Sequence, residues 1–371
     1  GLIEEVAANV PRLDYSDGTC PSLLLEPTAT NLITYSEDFS SFTQNGCSVI
    51  SDNISFVGGG LADKIQEDSL DTNKHIRPQS LSVTSGQSYI MSAWFKTDNC
   101  DVIALREGSS SGDSITYKFS TGTTSAIGTR WTTLNVVNFP NGWRRIDAKY
   151  TSTSTASMNF RVHLLGNNYN QVTNPNPSTY TYQGDGTSGV YMWGFTVEQN
   201  SYATSYIKTV GTAQTRVADT ASGSGNSTVI NSTEGTLYAE ISALANDGTT
   251  KAISISDGTD VNRVRLIFDS ASQNTVGYLI YVNGVVVAEN SFISSDITQF
   301  SKYAVKWSVN DFALWINGIK VKSDDNGVTF SASTLNTLQF ADGDGTSRTL
   351  FSNVKSVQVY TTALSDAELT T

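Results

Sequence analysis

The sequence predicts an all-β protein of two β-sandwich (jelly-roll) domains in tandem, preceded by an extended N-terminal arm. Three observations predict it. Ser, Thr, Asn and 29 glycines fill the text between apolar residues, a composition suited to turns and exposed strand faces rather than helices. Apolar residues alternate with a period of two over short runs. The 371 residues, 38% of them hydrophobic, exceed what a single core is expected to hold.

In chain order, residues 1–30 carry Pro11, Pro21 and Pro27 around the apolar run Leu23 to Leu25, which reads as an extended arm or linker with at most one strand. The first sandwich is assigned to 31–215. Within it Tyr89, Met91, Ala93 and Phe95 point one way and Ile90, Ser92, Trp94 and Lys96 the other, as on a strand with one face in a core. Further strands are read at Ser114 to Phe119, Trp143 to Tyr150, Ser157 to Leu165 and Val190 to Glu198. Residues 216–232 are small and polar, include Gly223 and Gly225, and are read as a linker. The second sandwich, 233–371, shows ten short strand patterns between Thr236 and Tyr360. Asn283-Gly284 and Asn317-Gly318 are flanked by alternating apolar residues and predict tight hairpins, because both turn positions need positive φ. The tail offers one helical turn, capped by Ser365, over Asp366 to Leu369.

Charge narrows the partners. The net charge is −12, and the 23 basic residues form no stripe, so neither nucleic acid nor an anionic membrane is an expected partner. No apolar run approaches the roughly 20 residues that span a bilayer, and the chain is expected to be soluble. Cys20, Cys47 and Cys100 fit neither a disulfide framework nor a zinc cage and are expected to be mostly buried thiols. The opening GLIEEVAANVPRL has no signal-peptide pattern, and the chain reads as a segment of something longer.

Two resemblances follow from particular stretches. Trp315 to Ile319 and the ending from Val354 to Leu369 resemble a concanavalin A-like, laminin G-type lectin domain over about 233–371. Pro11 to Leu32 with Tyr35 to Phe39, then Gly184 to Glu198, then Ser201 to Asp219 resemble a recurring segment of bacteriophage tail-fibre and other virion proteins. That resemblance implies a carbohydrate-binding-module-like jelly-roll in the first half and a place on the phage particle surface, after assembly in the host cytoplasm. It further implies other virion proteins as partners, a homo-oligomer such as a trimer, and a host-surface polysaccharide as ligand. Jelly-rolls of this type often hold a structural calcium through an acidic residue in the last strand; here Tyr191 to Phe195 offers none before Glu198.

Candidate chemistry is sparse, and the chain is not expected to be an enzyme. A glycan depolymerase, the rival reading, needs two carboxylates on one strand face, and the Glu-x-Asp-x-x-Glu pattern of lectin-fold glucanases is absent. His75 and His163 have no recognisable nucleophile to form a triad; His163 is expected to complete a sheet face and His75 to be exposed. For glycan contact the candidates are Tyr169, Asn174, Tyr180 and Tyr182, which flank an amide-rich loop, and Trp131, read as the exposed tryptophan; the other five are expected in the cores. Calcium is the one cofactor considered, with Asp342, Asp344 and Asp185 as candidate ligands, against the plain reading of Asp-Gly turns. A decoration protein with no ligand of its own is the third reading.

Overall fold

The computed structural model describes residues 3–4, 6–15, 20–108, 112–269 and 272–370. The chain forms two compact units, Gly1–Glu5 with Thr28–Val217 and Val6–Pro27 with Ala218–Thr371. Each is an antiparallel β-sandwich, and helix is confined to single turns. Among the described residues no helix is long and apolar enough to cross a membrane.

In the first unit one six-stranded sheet runs Trp131–Asn138, Arg144–Thr151, Ser88–Asp98, Gly189–Glu198, Leu61–Glu67, Cys47–Ser55. The facing sheet runs Thr123–Ile127, Ser114–Lys118, Val102–Glu107, Phe160–Gly166, Lys74–Arg77, Thr43–Asn45. Tyr89, Met91, Ala93 and Phe95 point inward against Ile103, Leu105, Ile115, Phe160 and Val162. The predicted strand from Ser157 to Leu165 is two strands. Ala156–Met158 pairs with Leu81–Val83, and Phe160–Gly166 enters the main sheet.

Trp94, Trp143 and Trp193, expected in the inter-sheet core, form a separate cluster with Phe56, with Tyr206 packed against it. This is a correction to the tryptophan assignment. They occupy the other face of their sheet, which stays dry because Phe56 stacks on Trp193 at 4.2 Å and Tyr206 lies 4.6 Å from the same ring. A bulge between Ser92 and Trp94 lets Gly194 take φ +66°, where an added Cβ would meet the Trp94 ring at 2.9 Å.

The stretches that resemble phage fibres meet here. The buried Asn31 amide donates to the carbonyl of Ile207 at 2.9 Å, while its side-chain oxygen accepts from Ile33 and Val197. Tyr206 Oη lies 2.7 Å from both Ser36 Oγ and Glu37 Oε1, and Lys208 pairs with Glu37. These residues therefore tie the ends of the sandwich together by satisfying buried polar groups.

In the second unit the larger sheet runs Leu13–Asp14, Ser22–Leu25, Ser352–Tyr360, Gly235–Ala243, Ser301–Ser308, Asp311–Ile316, Ile319–Asp324. The smaller runs Val285–Ile293, Thr275–Val282, Arg263–Phe268, Lys251–Ser256, Thr337–Gln339. Leu237, Ile241, Ile253, Leu266, Trp307, Phe312 and Leu314 fill the space between them. Both predicted hairpins have positive φ at both turn residues: 52° and 79° at Asn283-Gly284, 50° and 77° at Asn317-Gly318. Ser365 caps Asp366–Leu369 in a reciprocal box with Glu368.

The stretch read as an extended arm with at most one strand contributes two, Leu13–Asp14 and Ser22–Leu25, to the larger sheet. Leu23–Leu25 pairs with Ser352–Val354, because Leu25 has an apolar core to enter. Arg12 ties this stretch to the unit: its guanidinium pairs with Glu26 at 2.5 Å and with Asp219. The stretch expected as a linker also packs, with Ile230 buried in the core and Ser224 bridged to Leu338. Of the thiols, Cys100 is buried, Cys47 half-buried and Cys20 exposed, so burial holds for only part of the set.

Candidate functional site: an aromatic groove on the second sandwich

The outer face of the seven-stranded sheet carries a groove of about 680 Å³. Strand alternation builds it. Leu237, Ala239 and Ile241 face the core, so Tyr238 and Glu240 face outward. The registers place Gln358, Tyr238, Ala304 and Trp315 side by side across four strands. The next row holds Ser356, Glu240 and Lys302. Ala304 and Trp315, 4% and 5% exposed, form the floor of the hollow, with Tyr238 and Tyr360 as its aromatic sides and a polar rim. Tyr360, which donates to Gln358 Oε1, and the turn Asp366–Leu369 close one end.

The electrostatics suit a polyhydroxylated ligand. Glu240 and Lys302 are directly opposed across the sheet, and Gln358 adds an amide. Among the described residues the buried Trp315 indole nitrogen has no hydrogen-bond partner. Burial, followed by the charge of Glu240, raises the Tyr238 hydroxyl above the usual tyrosine range, so it remains a neutral donor near neutral pH. Glu368 is held in the cap of its own helical turn, its carboxylate accepting from Ser365 Nα at 2.8 Å and Oγ at 2.7 Å.

Sequence reading passed over this groove. Trp315 was expected in the core, yet it packs outside the sandwich with Ala304, Ala313, Tyr238 and Leu369. The available signal was the sequence Thr236 to Ile241, where polar or amphipathic residues alternate with buried ones; the lateral neighbours that make the hollow come from more than 60 residues away.

The glycan-contact residues proposed from sequence lie elsewhere, in the first unit, and do not form one open surface. Tyr169 is 8% exposed, packs on Val102, Ala104 and Leu165, and donates to the Asn174 carbonyl at 2.8 Å. Tyr180 meets it edge-on at 5.0 Å, and Tyr182 stacks on Tyr180 while donating to Glu67 at 2.5 Å. Asn174 is half-buried, its side-chain amide donating to Thr173 Oγ1 at 3.1 Å. The expectation that Trp131 is exposed is corrected: it is 1% exposed and its indole N–H donates to Glu107 at 2.7 Å, an acceptor 24 residues away that draws the ring inward.

The calcium ligands proposed from sequence do not fit a dication. Asp342 is fully buried, and its two oxygens already face the guanidinium groups of Arg263, Arg265 and Arg348 and the amide of Gly343. Asp344 is drawn well below the usual carboxylate range by the amides of Ser347 and Thr346. Asp185 is lowered in the same way by the Ser188 hydroxyl and amide and by Thr187. Glu198 is buried and accepts from Thr204 Oγ1 at 2.8 Å. Among the described residues no three His, Cys, Asp or Glu side chains converge as a metal cage. These aspartates close turns or balance arginines.

The two histidines come together, contrary to the expectation that His75 is exposed. They are cross-strand neighbours with stacked rings 4.7 Å apart. His163 is fully buried, and among the described residues neither ring nitrogen has a partner. Burial, then Arg161, Arg106 and Arg77, lowers His75 to about 4, and burial followed by the charge of His75 holds His163 well below the usual imidazole range. The unfolded chain therefore binds these protons more readily. For His75 the contribution is fully present above about 6.5 and is lost as pH falls toward 4, by up to about 1.4 kcal/mol per pH unit, and His163 acts in the same direction. Hydrogen exchange should show Phe160–Gly166 opening more often at pH 5 than at pH 7 after correction for intrinsic rates. His163→Leu should reduce that difference, and equal protection at the two pH values would contradict the assignment.

No family model and no curated protein matches the chain. Among solved structures it is similar to the Ruminococcus gnavus IT-sialidase CBM40, at 18% identity and a TM-score of 0.34, over 40% of this chain and 92% of that one. It is also similar to the carbohydrate-binding module CBM66 from Bacillus subtilis, at 15% identity and a TM-score of 0.26, over 38% of this chain and 78% of that one. With mouse laminin alpha1 chain domains LG4-5 the figures are 10% identity, a TM-score of 0.28, and 76% and 85% coverage.

Proposed function

We propose that this chain is a section of a bacteriophage fibre that binds glycan on the host surface through the outer groove of its second sandwich. One observation carries the binding reading: a hollow walled by Tyr238 and Tyr360 over the buried Ala304 and Trp315, rimmed by Glu240, Lys302 and Gln358. Flat rings meet the apolar faces of pyranose rings, and rim groups of both hydrogen-bonding senses fix sugar hydroxyls. The fibre reading is supported by the three ordered stretches that resemble virion proteins, and it carries with it assembly as a homo-oligomer beside other virion proteins.

A panel of host polysaccharides probed with the full chain tests the binding reading. Tyr238→Ala and Tyr360→Ala should each weaken the best ligand about tenfold, equivalent to about 1.4 kcal/mol. Wild-type chain that binds nothing on the panel would point to a decoration role, and release of new reducing ends during incubation would point to a depolymerase.

A further inference from the structure

The first unit carries a concentration of positive charge that the groove on the second does not use. Its second sheet places Arg106, Arg161 and Arg77 side by side on three adjacent strands. The neighbouring row places His163 beside His75. All five side chains share the outward face, because Ile103, Leu105, Val162, Leu164 and Ile76 alternate with them into the core.

Like charges directly opposed across a sheet are destabilising, and a row of three guanidinium groups repeats the cost. The sequence has 35 acidic residues with which to offset it, yet the six strands of this sheet contain one, Glu107. Glu107 faces the core side, where it accepts from Trp131 and pairs with Arg130 at 2.7 Å. Among the described residues, Arg77 is bonded to the neutral amide of Asn159 at 2.9 Å, and Arg161 Nε is buried without a partner. His163 supplies two more buried, unpartnered nitrogens in the same patch. Arg161 is lowered from its ordinary value by burial and then by Arg77, and Arg106 is lowered to about 10 by burial, with Glu107 and Asp113 opposing and Arg161 and Arg130 adding to the shift.

We infer that this face of the first sandwich is an oxyanion-binding site, in which Arg161, Arg77 and His75 receive a carboxylate, sulfate or phosphate group over a floor of Arg106 and His163. Guanidinium forks match the paired oxygens of such groups, and arginine is the side chain suited to this recognition. Arg161, Arg77 and His75 are part-exposed and reachable, whereas Arg106 and His163 are not. The anion has two sources, an acidic saccharide or a free inorganic ion. The site is separate from the Tyr238 groove, so either assignment can fail without the other.

Isothermal titration of the full chain with short glucuronic acid oligomers, glucose oligomers of equal length and sodium sulfate tests it. At least one of the two anions should bind and the glucose oligomers should not produce the same signal at this site. Arg161→Gln should weaken binding about tenfold and Arg161→Lys by less, since the charge remains but the fork is lost. Glucuronate binding that sulfate displaces only weakly identifies an acidic saccharide as the source; binding of sulfate alone identifies a free ion; either result supports the oxyanion site. Arg77→Gln provides the same readout should Arg161→Gln fail to fold. The inference is overturned if neither anion binds, or if binding survives both arginine-to-glutamine changes undiminished.

Discussion

Replacing Arg12 with alanine should destabilise the second sandwich by about 3 kcal/mol, within the range for breaking a buried ion pair from one side. Glu26 is 4% exposed, and the Arg12 fork joins its carboxylate to that of Asp219, which also accepts from the Glu26 amide at 2.7 Å. Removing the guanidinium takes the shared counter-charge from two carboxylates, one of them buried. The effect should be local in its first consequence. Leu24 donates to the Arg12 carbonyl and its strand pairs with Ser352–Tyr360, so the edge formed by Leu23–Leu25 should lose protection before the sandwich unfolds. Arg12→Lys keeps a charge without the planar fork and should fall between wild type and Arg12→Ala. Denaturant titration gives the size of the change, and hydrogen exchange at Leu24 gives its location. An unchanged midpoint for Arg12→Ala would mean that the chain before Pro27 adds nothing to this sandwich.

What could be read in the sequence follows from how local the determining contacts are. The Asn-Gly hairpins were legible because the turn itself demands positive φ. The strand through Tyr89 was legible because its alternating residues enter the core. Val102–Glu107 was not, since all six of its residues are buried and alternation disappears when both faces are covered. Trp94 shows the same difficulty from the other direction: its face resembles a core face because Phe56 and Tyr206 cover it from distant parts of the chain. The packing of the N-terminal arm was not legible for a related reason, as Asp219, which pairs with Arg12, and Val354, which pairs with Leu23, lie 207 and more than 300 residues along the chain. For the groove, each wall residue was visible as a strand residue, while the hollow between them exists only in the lateral register of four strands.

Asp342→Ala should be as damaging as Arg12→Ala or more so, at about 3 to 5 kcal/mol. The carboxylate is fully buried and lies 3.1 Å from Arg263 Nε, 2.5 Å from Arg265 Nη1 and 2.6 Å from Arg348 Nη1. Arg263 and Arg265 are themselves buried, with 7% and 6% of their side chains exposed, so their charges lose a buried counter-charge when the aspartate is lost, Asp260 remaining beside Arg263. Their attachment to the Tyr281 ring, 4.1 Å from the Arg263 guanidinium carbon, holds that charge in place. Asp342→Asn preserves volume and part of the hydrogen bonding but not the charge, and should retain only a fraction of the stability. The corresponding change at Asp344, which caps an exposed turn through Thr346 and Ser347, should cost about 1 kcal/mol, the usual scale for such a bond. This contrast separates two aspartates that the Asp-Gly-Asp-Gly stretch presents as equivalents. A calcium site would make both substitutions abolish a calcium-dependent rise in melting temperature, whereas balancing of arginines makes Asp342 costly with or without calcium and leaves Asp344 mild in both. Melting each variant with added calcium and with chelator therefore decides between the two roles, and equal losses at the two positions would overturn the arginine-balancing account.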